Sequence, residues 1–395
     1  MRRGLILIVV LMIGGPFGAV SRGQSSFSSS DAKTAPSDFK HLLTEAKSGS
    51  TRAQFKLGLA YQYGHGVEQS DYEAARWYRM AANSGDSAAQ NNLGFLYETG
   101  PDGIVDLPEA AKWYLRAAVE GNPMAQFNLG HLYLYTASIK KTPEEGLYWV
   151  RKAARAGYLS AYTLLGSLYA QGEFVPQDPR QAFVLTMIAA KKHDSGAAAN
   201  LGVFYAQGFG VRGDPHEAVK WFRKSADAGN PDGQFKLGVM YENGKGVPKD
   251  MDQAVRLYRL AAEGGSARAQ ESLGELYEFG QAVRTNYQEA ARWYRKAIEG
   301  GDALSASQLA TMLFEGKGGT RDLPEAVRLW SWAAQQGEPV AQFNLAEVYM
   351  KGVGVSKDLK KSLSLFIQAA KRFDVSKQLK EISSQMEQQE TAELH

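Results

Sequence analysis

The sequence predicts an all-α protein, built as a solenoid of nine 36-residue helix-turn-helix repeats. The main observation is a dipeptide that recurs every 36 residues with no insertion. The series comprises Leu57-Gly58, Leu93-Gly94, Leu129-Gly130, Leu165-Gly166, Leu201-Gly202, Leu237-Gly238, Leu273-Gly274, Leu309-Ala310 and Leu345-Ala346. A fixed period of this length is typical of repeat architectures, in which each unit packs on its neighbours.

The first helix of each copy is predicted by apolar residues at helical spacing, such as Ala53, Leu57 and Tyr61. A glycine suited to a left-handed helix end follows at residues 64, 100, 172, 208, 244, 280, 316 and 352, and Thr136 alone departs from this column.

The second helix of each copy is predicted by a column of N-cap residue types. The column comprises Ser70, Asp106, Thr142, Asp178, Asp214, Asp250, Asn286, Asp322 and Asp358. A Glu or Gln stands three residues later in eight of the nine copies, which predicts reciprocal capping boxes. Seven second helices end at glycine, from Gly85 to Gly337.

The nine copies occupy residues 50–373, with copy one beginning at residue 50. Half-repeat capping helices are predicted over 38–49 and, with a tail, over 374–395, because the ends of a solenoid expose its core. The Ser-rich segment 22–37 is predicted to be a flexible tether.

Residues 1–21 have the three zones of a secretory signal peptide. Arg2 and Arg3 precede a short apolar run, and Ala19 and Ser21 suit the −3 and −1 positions of a cleavage site. We therefore expect a periplasmic or secreted protein with no transmembrane span after cleavage; the alternative is an uncleaved N-terminal anchor.

The repeated pattern resembles the Sel1-like repeat family, a relative of the tetratricopeptide repeat. Residues 53–85 and 233–265 follow A-x-x-x-L-G-x-x-Y-x-x-G-x-G-V-x-x-D-x-x-x-A-x-x-W-Y-x-x-A-A-x-x-G almost completely. The resemblance implies a right-handed α/α superhelix whose first helices line a concave surface, as in adaptors, envelope scaffolds and regulators. A cysteine-rich branch is associated with β-lactam binding or hydrolysis, but this chain has no cysteine.

No motif predicts catalysis or a cofactor. The G-x-G-x-x-G at residues 208–213 follows a helix, and the two S-x-x-K matches at 37–40 and 138–141 lack a following K-T-G. The six histidines show no metal-ligand spacing, and a net charge of +3 is no signature of nucleic-acid binding. We therefore predict a protein that is not an enzyme and holds neither a metal nor a cofactor; a β-lactamase-like hydrolase is the remote alternative.

Partner binding is predicted on the first helices, at positions 52, 55, 59 and 62 of copy one and their equivalents. If Leu57, Gly58 and Tyr61 face the core, these positions face a concave groove suited to a partner's peptide or helix. The expected groove residues are Phe55, Phe95, Phe127, His131, Leu134, Phe235, Glu271, Glu275, Glu278 and Phe343, with the aromatic members exposed.

Two further features leave alternatives open. Basic residues repeat along the second helices, as at Arg76 and Lys112. They either bind an anionic envelope polysaccharide or peptidoglycan, or form ion pairs with glutamates on a solvated face. Copy four replaces the usual basic residues with Val184 and Met187, and this patch is either an interface or is buried where the array bends. The tryptophan column of the second helices is predicted to pack between neighbouring helices.

Overall fold

The computed structural model describes residues 36–101 and 103–393, in which there are twenty α-helices and no strand. The helices are α1 (Pro36–Lys47), α2 (Thr51–Tyr63), α3 (Asp71–Asn83), α4 (Ser87–Thr99), α5 (Leu107–Val119), α6 (Pro123–Tyr135), α7 (Pro143–Arg155), α8 (Leu159–Gln171), α9 (Pro179–Lys191), α10 (Ser195–Gln207), α11 (Pro215–Asp227), α12 (Pro231–Asn243), α13 (Met251–Glu263), α14 (Ala267–Phe279), α15 (Tyr287–Glu299), α16 (Ala303–Glu315), α17 (Leu323–Gln335), α18 (Pro339–Lys351), α19 (Leu359–Ala369) and α20 (Ser376–Glu393).

The all-α solenoid predicted from the 36-residue period is confirmed. The even-numbered helices α2 to α18 are the first helices of the nine copies, and the odd-numbered helices α3 to α19 are the second. The chain forms two compact units divided between Trp221 and Phe222, and inside each unit a helix packs on the next one along the chain.

Helices also flank the array at both ends. Helix α1 packs on α2, and its first two residues belong to the segment predicted as a tether. Helix α20 packs on α19. The predicted signal peptide and the rest of the tether lie outside the described residues. No helix in the described part of the chain is long and apolar enough to cross a membrane.

The N-caps of the second helices form as predicted, but the reciprocal capping boxes do not. The Asp106 carboxylate accepts the Glu109 N–H at 3.0 Å, and the same bond recurs down the column. Among the described helices, only Thr142 and Glu145 of α7 bond each other in both directions.

The five other glutamates of this column pair with a base one turn later: Glu73 with Arg76, Glu109 with Lys112, Glu217 with Lys220, Glu289 with Arg292 and Glu325 with Arg328. Copy three has Tyr148 at that place, and the Glu145 carboxylate accepts from the Thr142 N–H and from Lys141 Nζ instead. Copy four has Val184 there and Gln181 forms no box either, so the ion pairs do not account for every copy.

The helix ends follow the glycine columns with two exceptions. Gly100, predicted to be left-handed, has φ −66° and ψ 174°, because the turn after α4 takes a different course through Gly103, which has φ +93°. His193 occupies the terminal-glycine column of the second helices and still adopts φ +67°. Such backbone is unfavourable for a residue with a Cβ.

The recurrent Leu-Gly pair is explained by the packing of the two helices inside each copy. The leucine is almost fully buried in all nine copies, and the glycine lets a second-helix tyrosine lie against the first-helix backbone. A Cβ at Gly238 would stand 2.7 Å from Tyr258 Cε1, and one at Gly94 would stand 2.8 Å from Tyr114 Cδ1. We call this contact the glycine–tyrosine joint: Gly58 with Tyr78, Gly94 with Tyr114, Gly238 with Tyr258 and Gly274 with Tyr294.

Each joint tyrosine buries its ring and bonds its hydroxyl to a side chain of its own copy. Tyr258 donates to Glu242 at 2.6 Å, and Tyr294 donates to Glu278 at 3.0 Å. A buried hydroxyl needs such a partner, because an unsatisfied polar group in the core is costly. The tryptophan column also packs inside the array as predicted, since Trp77, Trp113 and Trp293 are buried.

Candidate partner-binding surface

The ten residues predicted to line the groove all lie on first helices, but they are less exposed than expected. Phe127 is completely buried, and Leu134, Phe235 and Glu278 are also buried. The expectation that the aromatic members are exposed is wrong for Phe127 and Phe235. The other six members are half-buried: Phe55, Phe95, His131, Glu271, Glu275 and Phe343.

Aromatic rings cover three of these positions. The Phe55 ring lies 5.8 Å from the ring of Tyr78, and the Phe235 ring lies 5.4 Å from the ring of Tyr258. In copies one and six the residue at this position therefore packs on the joint tyrosine. Phe127 is covered by Tyr158, the N-cap residue of α8, whose ring lies 5.2 Å away.

The exposed side chains of the first helices lie in a different column, which the sequence did not lead us to predict. Tyr135 is 42% exposed and Phe279 is 58% exposed, and both lie one residue beyond the predicted position 62. They stand one helical turn after His131 and Glu275 and so share a face with them. The spacing i, i+4 from position 59 could have identified this column.

We define the first-helix strip by this column and by the half-buried residues one turn before it. The column comprises Tyr63, Thr99, Tyr135, Gln171, Gln207, Asn243, Phe279, Glu315 and Lys351, and the half-buried residues are Phe95, His131, Glu275, Thr311 and Glu347. The strip changes chemical class from copy to copy, whereas the leucine column is the same in all nine.

Side chains of consecutive first helices meet along this side of the array. Asn128 Nδ2 donates to Asn91 Oδ1 at 3.0 Å, linking copies two and three. In the C-terminal unit, Gln308 Nε2 donates to Glu275 Oε1 at 2.7 Å, linking copies seven and eight. Asn91 and Asn128 are completely buried, so their bond joins the two copies inside the array. Gln308 and Glu275 are half-buried, and there neighbouring copies present adjoining side chains that one ligand can contact together.

Aromatic rings form a row in the N-terminal unit. The His131 ring lies 4.8 Å from Tyr135, which lies 5.6 Å from Phe174 in the loop after α8. Phe174 has φ +58°, a left-handed conformation that is strained for a bulky residue, and most other copies have glycine at this position. The row therefore includes an aromatic side chain that is held in place at a conformational cost.

Carboxylates gather on α14 in the C-terminal unit. Glu278 is buried and is bound by Tyr294 and by Lys317 Nζ, the latter at 3.0 Å. Glu271 and Glu275 form no ion pair with any described residue. Desolvation raises the pKa of Glu271 to about 8, with Asp302 and Glu275 adding to the rise and Arg268 opposing it.

The pKa of Glu275 is raised as well. Its burial raises its pKa, and the Gln308 hydrogen bond opposes that rise. Carboxyl groups kept partly desolvated near one another favour a neighbouring cation, because a positive charge relieves both desolvation and repulsion.

The basic residues of the second helices take part in contacts within the array. Arg76, Lys112 and Lys220 pair with glutamates one turn earlier. Arg223 and Arg259 donate to Tyr241 and Tyr277 of the following first helix at 2.9 and 2.8 Å. These observations agree with the ion-paired, solvated face, and binding of an anionic polysaccharide stays a prediction.

The copy-four patch is partly open. Val184 is 55% exposed, while Leu185 and Met187 are half-buried. A bend in the array therefore does not bury Val184, and the alternative that this patch is an interface stays open.

No group of three or more His, Asp or Glu side chains among the described residues is arranged to hold a metal ion. Of the two S-x-x-K matches, Ser138 is an exposed residue of the turn between α6 and α7. The other match, at residues 37–40, lies in α1.

The comparisons with known proteins agree with the geometry. A family model described as the Sel1 repeat matches residues 51–86, 87–122, 123–158, 159–194, 195–230, 231–266, 267–302, 303–338 and 339–372. A comparison with curated proteins finds no match.

Two solved structures are similar over most of their length. One is c5321, described as a protective antigen present in uropathogenic Escherichia coli strains and displaying an SLR fold; it is 30% identical, with 87% of this chain and 82% of that one covered and a TM-score of 0.57. The other is a Sel1 repeat protein from Oxalobacter formigenes; it is 28% identical, with 84% and 99% covered and a TM-score of 0.60. With nine matched copies and these relatives, the chain belongs to the Sel1 repeat family.

Proposed function

We propose that this protein is a non-enzymatic scaffold or regulator that binds a protein partner along the first-helix strip. Sel1 repeat proteins generally mediate protein–protein interactions. The observation that carries the proposal is the contrast within each first helix. Its leucine is buried in all nine copies, while the strip on its other side changes from aromatic to amide to charged. Structural packing requires one side to repeat, and a partner with a specific sequence requires the other to vary.

The strip, together with Phe174 and Glu271 beside it, indicates the chemistry of the partner. The row of His131, Tyr135 and Phe174 suits an apolar or aromatic partner side chain, because it offers aromatic faces and edges. The unpaired carboxyl groups of Glu271 and Glu275 suit a lysine or arginine of the partner. Either group gives affinity to an extended peptide or a helix lying across consecutive first helices.

We place this activity in the bacterial envelope or outside the cell. The support is the signal-peptide pattern of residues 1–21, with its two arginines, apolar run and small residues. Mass determination of the N-terminus after expression from the native gene tests this location. A mature chain that begins near residue 22 agrees with it, and an intact Met1 in a cytosolic fraction contradicts it.

The proposal is tested by two matched variants of the full chain. The strip variant carries Phe95→Leu, His131→Gln and Tyr135→Ser, and the control carries Val119→Ser and Tyr148→Ser on second helices. Val119 and Tyr148 are 65% and 56% exposed, so the control also removes exposed apolar surface.

Each variant is immobilised and exposed to envelope extract of the source bacterium. We expect a protein retained by the unchanged chain and by the control to be lost with the strip variant, while all three chains keep the same circular dichroism spectrum. Retention by the strip variant together with loss by the control would place the interface on the second helices instead.

A further inference from the structure

The loop after α14 has an alanine at a position where other copies have glycine. Ala282 has φ +60°, and its equivalents Gly210, Gly318 and Gly354 have φ +71°, +83° and +74°. Left-handed backbone of this kind is unfavourable for a residue with a Cβ. Copy seven therefore keeps the turn of the other copies at a conformational cost.

The glycines at this position lie directly on the second helix of the preceding copy. A Cβ at Gly318 would stand 2.7 Å from Tyr287 Cβ, and one at Gly354 would stand 2.9 Å from Leu323 Cβ. Tyr287 and Leu323 are the first residues of α15 and α17. Because Ala282 has a Cβ, the loop after α14 has to lie farther from α13 than these glycines lie from their helices.

A cavity of about 400 Å³ lies between this loop and α13, and we call it the α13 cavity. Ala282 and Val283 form its loop side, and Val255, Arg256 and Leu260 lie on its helix side. Pockets for small molecules are commonly about 300–1,000 Å³. The α13 cavity is therefore large enough for a small molecule.

Arg256 belongs to the basic column of the second helices but has lost its acidic partner. The other five bases of the column pair with a glutamate three residues earlier: Arg76, Lys112, Lys220, Arg292 and Arg328. Copy six has Gln253 at the place of that glutamate. Arg256 is exposed and forms no ion pair or hydrogen bond with a described residue, so a ligand in the α13 cavity can reach its guanidinium group.

The charged side chains that line the α13 cavity balance one another. Arg256 and Arg259 are opposed by Asp252 and Glu263. Arg259 donates to Tyr277 at 2.8 Å. Asp252 stands one helical turn before Arg256 on the same face, yet the two form no ion pair. An anion or a cation alone would meet a like charge here, whereas a ligand with both charges meets an unlike charge at each.

We propose that the α13 cavity binds a free aliphatic α-amino acid. Its carboxylate accepts from the Arg256 guanidinium group, whose planar fork of donors matches a carboxylate. Its ammonium group donates to the Asp252 carboxylate, one turn away on α13. Its aliphatic side chain packs on Leu260, which is 42% exposed, and on Val283. None of the residues that line the cavity belongs to the first-helix strip, so the proposal is independent of the proposed function.

The full chain is titrated with L-leucine while the ¹³C-methyl NMR signals of its valines are recorded. The Val283 signals are assigned by their absence in Val283→Ile. Three altered probes each lack one of the proposed contacts: N-acetylleucine has no ammonium group, leucinamide has no carboxylate, and glycine has no aliphatic side chain.

We expect leucine to shift the Val283 signals to saturation, with a Kd of roughly 1 mM. Each altered probe should bind about tenfold more weakly, because it loses either a charged hydrogen bond or the apolar contact.

Variants of the chain test the same contacts from the protein side. Arg256→Gln and Asp252→Asn should each raise the Kd for leucine about tenfold while the circular dichroism spectrum stays the same. Arg292→Gln is the matched control for the arginine, because Arg292 stands in the same column and is paired with Glu289. Glu263→Gln is the control for the acid, because Glu263 lies two turns beyond Arg256 along α13. Both controls should leave the Kd unchanged.

The absence of a saturable shift from leucine, or equal binding of leucine and any altered probe, would overturn the proposal. Losses from the two controls as large as those from Arg256→Gln and Asp252→Asn would also overturn it. Capture of a partner by the first-helix strip is measured separately, so these results do not bear on the proposed function.

Discussion

The two sides of each first helix differ in what determines their residues. On the side that holds the glycine–tyrosine joint, Leu57 and its eight equivalents are buried, and glycine recurs wherever tyrosine packs opposite. On the strip side, Thr99, Tyr135, Asn243, Phe279 and Lys351 occupy one repeated position with no common chemistry. The first side packs on the second helix of its own copy, and the second side meets solvent or a partner.

Substitutions on the two sides should therefore have different effects. Residues at the joint contribute to stability because close packing leaves no room for an added atom. Residues of the strip contribute little to stability and are free to specify a ligand. The predictions below follow from that division, beginning with the largest expected effect.

The joint is expected to be the most sensitive place. Gly238→Ala adds a Cβ against Tyr258 and should lower the free energy of unfolding by about 2 kcal/mol, since overpacking outweighs the gain in helix propensity. Urea unfolding followed by circular dichroism measures it. The control is Gly196→Ala in α10, where the nearest atom is 3.4 Å away and a small gain in stability is expected. Equal effects of the two substitutions would contradict the role of the joint.

The hydroxyl of a joint tyrosine is expected to have the next largest effect. Tyr294→Phe removes the bond to the buried Glu278 carboxylate and should lower stability by about 1 kcal/mol. The same urea experiment measures it, beside Tyr148→Phe on an exposed second-helix side chain, which should change little. If Tyr148→Phe lowered the free energy of unfolding as much as Tyr294→Phe, the hydroxyl of the joint tyrosine would contribute no more than that of an exposed one.

Removal of the Glu271 carboxyl group is expected to act in the opposite direction, by an amount that grows as pH rises from the unfolded pKa towards 8. Its folded-state pKa of about 8 lies above the unfolded value, so the folded state binds the proton more tightly. Stability linked to this group is complete below the unfolded pKa and is lost as pH rises towards 8. Glu271→Gln should therefore match the unchanged chain in stability at pH 4 and be more stable than it at pH 9, where the unchanged chain has to ionise the buried carboxyl group.

Unfolding midpoints across this pH range, with Glu263→Gln on an exposed second-helix residue as the control, measure the effect of Glu271→Gln. If the stability difference between Glu271→Gln and the unchanged chain were the same at pH 4 and pH 9, the pKa of Glu271 would not be raised in the folded state.

The smallest effect on stability is expected on the strip. Tyr135→Ser should change the free energy of unfolding by no more than about 0.5 kcal/mol, because the side chain is 42% exposed. Differential scanning calorimetry beside Gly238→Ala compares the two sides directly. A loss comparable to that of Gly238→Ala would mean that the strip is structural.

The fold could be predicted from the sequence because the residues that begin and end each helix act locally and recur in all nine copies. N-cap residues such as Asp106 and Asp250 fix the start of each second helix, and a single period sets the packing. The capping boxes could not be predicted in the same way. The same residue type at the third helical position also pairs with a base one turn later, as it does in five copies, and the column alone does not indicate which partner it takes.

The site was predicted less completely, because exposure depends on what packs opposite. Helical spacing placed Phe127 and Phe235 on the outer face, but Tyr158 and Tyr258 cover them. Tyr135 and Phe279 were missed because position 62 was taken in place of its neighbour.

Site-specific photo-crosslinking shows directly whether the partner lies along the first-helix strip. Benzoylphenylalanine is introduced singly at Phe95, Tyr135 and Phe279, and, as controls, at the exposed second-helix residues Tyr72 and Tyr148. We predict that irradiation in the native envelope joins the same protein to the chain from strip positions and from neither control. Adducts from Tyr72 and Tyr148 with none from the strip would contradict the account.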